Sequence, residues 1–362
     1  MRDLDLDVFK DPTIARGLVE SIQKLAPESA NLMEVCGTHT QAIGRFGIRS
    51  LMPEGTRLLS GPGCPVCVTA NRDIDTVIAL ARIPEVSITT FGDMMRVPGS
   101  TSSLLAEKAA GHAIEVVYSP LDAISFAQNN PDRQVVFVGV GFETTTPVVA
   151  ASIKRAASLG LSNFSVFVAH KNMPGALEAI VADPQLKVDA LILPGHVSTI
   201  IGPEPYRFLA EQYGIPGVIT GFEPVDILQG IAMLMRQLHD GRAEIEIAYA
   251  RGVMEEGNPA ARAIIDEVFE LCPATWRGLG EIPGSGYKMR DAFASFDAVE
   301  RFHPEVEPTQ EHASCRCGDV LRGSITPHEC PLFDKVCTPE NPIGPCMVSS
   351  EGSCAAYYRY YR

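Results

Sequence analysis

Arg133–Gly160 reads RQVVFVGVGFETTTPVVAASIKRAASLG. The valine run predicts a strand, GVGFETT a glycine-rich polar turn, and the segment from Thr146 onward a helix, because its apolar residues recur at helical spacing. Strand, polar turn, helix is half of a βαβ unit. The same order returns in NFSVFVAHKNMPGALEAIV (163–181), VDALILPGHVSTIIG (188–202) and GIPGVITGFEPVDILQGIAMLMRQL (214–238). Four such units in succession predict a doubly wound parallel sheet. Gly141-Phe142-Glu143 and Gly221-Phe222-Glu223 each follow a strand and read as equivalent turns of related units.

Upstream the rhythm is similar. DPTIARGLVESIQKLA (11–26) starts a helix at Asp-Pro, and ANLMEVCGTHT (30–40) is a short apolar strand delivering a polar loop. NRDIDTVIALAR (71–82) is helical, EVSITTFGD (85–93) extended, STSSLLAEKAAG (100–111) a Ser-capped helix and AIEVVYS (113–119) a strand. After about residue 250 the pattern changes: a helix over AARAIIDEVFELC (260–272) precedes a stretch rich in Pro, Gly and Cys. That stretch has too few apolar runs for its own core, so it must pack on the sheets or be held by a metal. The expected fold class is α/β: two similar doubly wound parallel-sheet domains, 1–130 and 131–245, with a loop-rich, cysteine-rich region over 246–362.

The 362 residues are 46% hydrophobic and carry a net charge of −14. That charge argues against non-specific nucleic-acid binding, which needs clustered Lys and Arg. The acidic start, MRDLDLDVFKDPTIARG, has no apolar core of a secretory signal, and no apolar run reaches the ~18 residues of a membrane helix. A soluble, cytoplasmic protein without a membrane segment is expected.

In a reducing compartment, ten cysteines point to metal or redox work. Cys36, Cys64 and Cys67 lie early, Cys272 stands alone, and six crowd the last fifty or so residues. Cys317, Cys330, Cys337 and Cys354 are spaced C-x12-C-x6-C-x16-C. Close C-x2-4-C zinc knuckles are absent there, and wide spacing beside prolines suits a [4Fe–4S] cluster better than zinc. Cys315 and Cys346 are then surplus, and spacing leaves the choice among the six open. In GPGCPVC (61–67) a Cys-Pro-Val-Cys pair is either half a zinc site or a dithiol that cycles with a disulfide. The glycines permit unusual backbone angles, and the helix from Asn71 is placed to stabilise a thiolate with its N-terminus. Cys36 and His39, three residues apart, read as nucleophile and base, or as a metal ligand with a tuning neighbour.

His170, His196, Glu143 and Thr144 to Thr146 fall at C-terminal strand ends, where open α/β sheets place ligands. Asp93 and Arg96 share another such loop and read as an ion pair. No P-loop or G-x-G-x-x-G frame is present, which argues against nucleotide chemistry.

EVCGTHT (34–40), GPGCPVCVT (61–69), FGDMMRVPGS (91–100), GVGFETTTP (139–147), GFEPVDIL (221–228) and the cysteine motifs of 315–358 together resemble the [NiFe]-hydrogenase maturation factor HypD family. The resemblance runs from Met33 to Tyr358. It implies a scaffold, working with the small chaperone HypC, on which the Fe(CN)2CO group is assembled. Cyanide would come from HypE, charged by the carbamoyltransferase HypF. It implies iron on Cys36, a thiol–disulfide pair at Cys64 and Cys67, a [4Fe–4S] cluster in the terminal region, and electron passage between the cluster and that pair. His39 is then expected to hydrogen-bond a cyanide or relay a proton. Two rivals use the same residues: an iron–sulfur-dependent protein disulfide reductase, and a zinc-stabilised interaction module.

Overall fold

The computed structural model describes residues 6–184 and 186–362, so the first five residues of the acidic start lie outside the described residues. Nine strands pair in parallel: β1 (Ala30–Glu34), β2 (Thr56–Ser60), β3 (Val86–Thr90), β4 (Ile114–Val116), β5 (Gln134–Gly139), β6 (Phe164–Val168), β7 (Ala190–Pro194), β8 (Gly217–Thr220) and β9 (Ile245–Ile247). They make two sheets, ordered β2-β1-β7-β8-β9 and β4-β3-β5-β6. Counted by appearance within each sheet, the first runs second, first, third, fourth, fifth and the other second, first, third, fourth. The two units therefore share one winding, and each has its switch point between its first and third strands, β1/β7 and β3/β5.

Several helices begin where side chains satisfy their free N–H groups. Asp11 accepts from Thr13 and Ile14 ahead of Pro12–Leu25, and Ser103, Asn172 and Asn258 cap Leu104–Ala109, Met173–Val181 and Pro259–Val268. Proline in the first turn recurs, since its missing N–H costs nothing there.

Strand pairing divides the chain differently from the expected boundaries at 130 and 245. The first sheet takes β1 and β2 and then β7 to β9, while the chain between them, β3 to β6, builds the second. Period and length identify strands and helices but do not say which strands hydrogen-bond. The two Gly-Phe-Glu turns are also not equivalent: one follows β5, third in its sheet, and the other β8, fourth in its sheet. Glu143 is fully buried, whereas Glu223 caps the helix Pro224–Asp240 and pairs with Lys10.

The helix expected over 260–272 stops at Val268. Phe269 opens β10 (Phe269–Trp276), which pairs antiparallel with β11 (Gly280–Met289). The register shifts between Cys272 and Ala274, around Pro273, which has no N–H for the ladder. The terminal region is short helical turns. Its Leu321, Phe333, Met347 and Tyr357 share one core with Met33, Val35, Leu191 and Leu193 of the first sheet. It thus packs on a sheet, as its composition requires. Among the described residues no helix is long and apolar enough to cross a membrane.

Candidate functional site

The two switch points face each other across a cavity of about 400 Å³. Val35 and Cys36 from the end of β1 and Pro194 and His196 from the end of β7 form one wall. Phe91 and Asp93 beyond β3, with Gly141 and Thr145 beyond β5, form the other.

Cys36 is the N-cap of the helix Gly37–Arg45. Its N–H donates to Glu34 Oε2 (3.1 Å), and Thr40 Oγ1 donates to Glu34 Oε1 (2.5 Å). Burial first, and then the Glu351 and Glu34 carboxylates, push the Cys36 thiol up to about 12. Burial also pushes Glu34 up to about 8. Thr38 Oγ1 donates to Glu351 Oε1 (2.9 Å), and Glu351 is raised by burial and by the nearby charge of Asp93. The Cys36 wall is thus a neutral soft thiol among weakly acidic carboxyls.

The Gly-Pro-Gly approach to Cys64 is held against this wall. Gly61 N donates to Glu34 O (2.7 Å), and Gly37 N donates to Gly63 O (2.9 Å). A Cβ on Gly63 would lie 2.1 Å from Cys36 N. Neither glycine is among those with positive φ. They are required for close approach of two backbones, not for the unusual angles expected from the sequence.

Cys64 and Cys67 form a disulfide with Cα atoms 5.2 Å apart. The helical turn at the sulfurs is Pro65–Val68, capped by Cys64 itself; the helix Asn71–Ala81 begins beyond it. Pro65 and Val66 line the cavity. On the other side Cys67 Sγ lies 4.0 Å from Pro345 O, one residue before Cys346.

Cys315, Cys317, Cys330, Cys337, Cys346 and Cys354 ring a second, small cavity of about 20 Å³, closed by Leu332, Phe333 and Met347. The Sγ atoms of Cys317 and Cys346 are 2.7 Å apart. Hydrogen bonds from Cys315 and Cys346 hold the Cys317 thiol well below its ordinary pKa. All four cysteines singled out by spacing are here, and so are the two surplus ones. Among the described residues no group of three or more His, Cys, Asp or Glu is drawn up for a single metal ion. Cys272 stands apart on β10.

His39 does not reach the cavity. Its ring is fully buried, with Nε2 2.9 Å from Gly221 O and 2.8 Å from Thr220 Oγ1, and burial brings its pKa down to about 4. It stacks on Phe222 (4.8 Å), which stacks on His196 (3.9 Å), and His196 is the imidazole on the cavity wall. Thr144 and Thr145 also line it, whereas His170, Glu143 and Thr146 are buried behind. Asp93 faces the cavity, while Arg96 donates to the Pro339 carbonyl, so the expected ion pair does not form. Glu351 carries no sequence signal, since its partner Thr38 is 313 residues away.

A family model described as "HypD: Hydrogenase formation hypA family" matches residues 13–361. The chain is 48% identical to "Hydrogenase maturation factor HypD" of Rhodobacter capsulatus, over 97% of each chain. It is 49% identical to the protein of that name in Azotobacter vinelandii, over 99% of this chain and 97% of that one. The Escherichia coli protein of that name is 42% identical, over 98% and 97%. Matches of this identity and length mean that the chain belongs to the HypD family of hydrogenase maturation factors.

Proposed function

We propose that this chain is a cytoplasmic scaffold on which the Fe(CN)2CO group of a [NiFe] hydrogenase is assembled, with iron as cargo on Cys36. The carrying observation is the alignment of three sulfur systems: Cys36 on the cavity wall, the Cys64–Cys67 pair in the adjoining turn, and the six-thiol ring beyond Pro345. A thiolate is a soft ligand for iron carrying strong-field ligands, and iron binding displaces the Cys36 proton into the cavity. In this reading a small chaperone of the HypC type adds a second ligand at the cavity mouth, and a HypE-type donor, charged by a HypF-type carbamoyltransferase, delivers cyanide. Reduction of the Cys64–Cys67 disulfide takes two electrons and two protons and leaves two thiols, so this pair supplies two-electron chemistry beside the iron.

The terminal ring suits a [4Fe–4S] cluster by its donor chemistry: soft thiols set around a space and shielded by Leu332, Phe333 and Met347. Cys317, Cys330, Cys337 and Cys354 would hold it. Such a cluster supplies a one-electron store. His39 acts from behind the wall: it holds Phe222, and through it His196, in place.

The test is an infrared spectrum of the oxygen-free protein purified with its small partner, for wild type and Cys36→Ala. Cyanide and carbonyl stretches present in the first and absent in the second are expected. A brown, iron-containing protein with no such bands in either sinks the scaffold and favours the disulfide reductase. Against the reductase stands burial: Cys64 and Cys67 are 3% and 0% exposed, out of reach of a protein disulfide. A thiol mass tag applied before and after mild oxidation should show the Cys64–Cys67 pair losing two reactive thiols together.

A further inference from the structure

Arg277 sits in the turn between β10 and β11, and its guanidinium is buried, 7% exposed. Three contacts tie it to the segment leaving the Cys64–Cys67 turn. Its N–H donates to Val68 O (2.9 Å), Nε to Thr69 O (3.1 Å) and Nη2 to Asn71 Oδ1 (3.0 Å). The next residue, Gly278 (φ +79°), packs on the backbone of Gly318; a Cβ on Gly278 would lie 2.3 Å from Gly318 Cα. Gly318 follows Cys317. Arg277 therefore lies between the two redox-active sulfur systems, and it lines a groove together with Cys315 and Cys317. Its one carboxylate partner among the described residues, Glu311, is at 3.3 Å and 56% exposed, so solvent weakens the neutralisation.

We propose that Arg277 is a positioning residue that sets the reduction potential of the thiol-held centre in the terminal ring, a role that rests on the iron–sulfur reading above. Adding one electron to a centre held by four thiolates adds one negative charge, and no proton is needed for balance. A buried cation fixed beside Cys317 favours that added charge, because the effective dielectric there is low. Two guanidinium bonds into the neighbouring segment, beside the backbone bond to Val68 O, hold the charge in place, and lysine would keep the charge but not the fork.

The experiment is a dithionite titration followed by electron paramagnetic resonance on the full chain with its native iron, alongside iron content and thermal unfolding. Arg277→Gln is expected to make one-electron reduction at least tenfold less favourable, a fall of about 59 mV. Arg277→Lys should recover most of that. Glu311→Gln, a change at an exposed side chain, should move the potential the opposite way by a smaller factor, which keeps the test alive if Arg277→Gln does not fold. Midpoints unchanged in Arg277→Lys and Glu311→Gln, with Arg277→Gln unchanged or unfolded, overturn the proposal. A wild-type chain that binds zinc or nothing overturns the iron–sulfur reading and this proposal with it.

Discussion

Gly63 shows how a single missing methyl builds the site. Its Cα lies so close to the backbone of Cys36 that a Cβ would fall 2.1 Å from the Cys36 nitrogen. Gly63→Ala must move one of two backbones, so a loss of roughly 2 kcal/mol or more in urea unfolding is expected. Glu143 provides a pH signature. It is fully buried; its Oε1 accepts from Met173 N (2.9 Å) and Asn172 Nδ2 (3.1 Å), and burial pushes its carboxyl from 4.5 up to about 7. The folded chain keeps a proton that the unfolded chain gives up, so the contribution of Glu143 to stability is full below about pH 4.5 and is lost as pH rises to about 7. The full effect is about 3 kcal/mol. Glu143→Gln, measured against wild type across that window, should flatten this part of the profile; an unchanged slope would show that Glu143 titrates normally.

At the scale of elements, the β10–β11 hairpin does more than extend the chain. Trp276 is fully buried, donates from Nε1 to Ser285 Oγ (2.9 Å) and stacks on Phe142 at the cavity (5.8 Å). It also places Arg277. Trp276→Ala should cost about 3–5 kcal/mol in denaturant unfolding. Because it is the only tryptophan in the chain, the wild-type transition can be read from its fluorescence. Trp276→Phe keeps the stack but leaves Ser285 without the indole donor, and should cost much less. Equal losses in the two variants would mean that ring packing against Phe142 contributes little.

At the scale of the molecule, two units wound alike over their first four strands put their switch points on one cavity, and the terminal cysteine region closes over the first sheet. The terminal region has no core separate from that sheet. If the ring holds the proposed cluster, removing its iron with a chelator under reducing conditions should therefore loosen it while both sheets persist. Hydrogen exchange is expected to quicken over 311–358 and stay slow in β1, β5, β7 and β8. Uniform quickening across all strands would instead make the terminal ring part of a single cooperative unit.

The sequence by itself determined the α/β class, the alternation of strand and helix, the turns that carry chemistry, and the two groups of cysteines. Each of these follows from local period, turn residues and spacing. Only the tertiary structure decided that β1 and β2 join β7 to β9, because hydrogen-bond partners of a parallel strand lie far away in sequence. For the same reason it alone set His39 behind the wall and brought Glu351 to Thr38. It also gathered six thiols where spacing singled out four, since a ring is closed by chain folding and not by intervals along the chain.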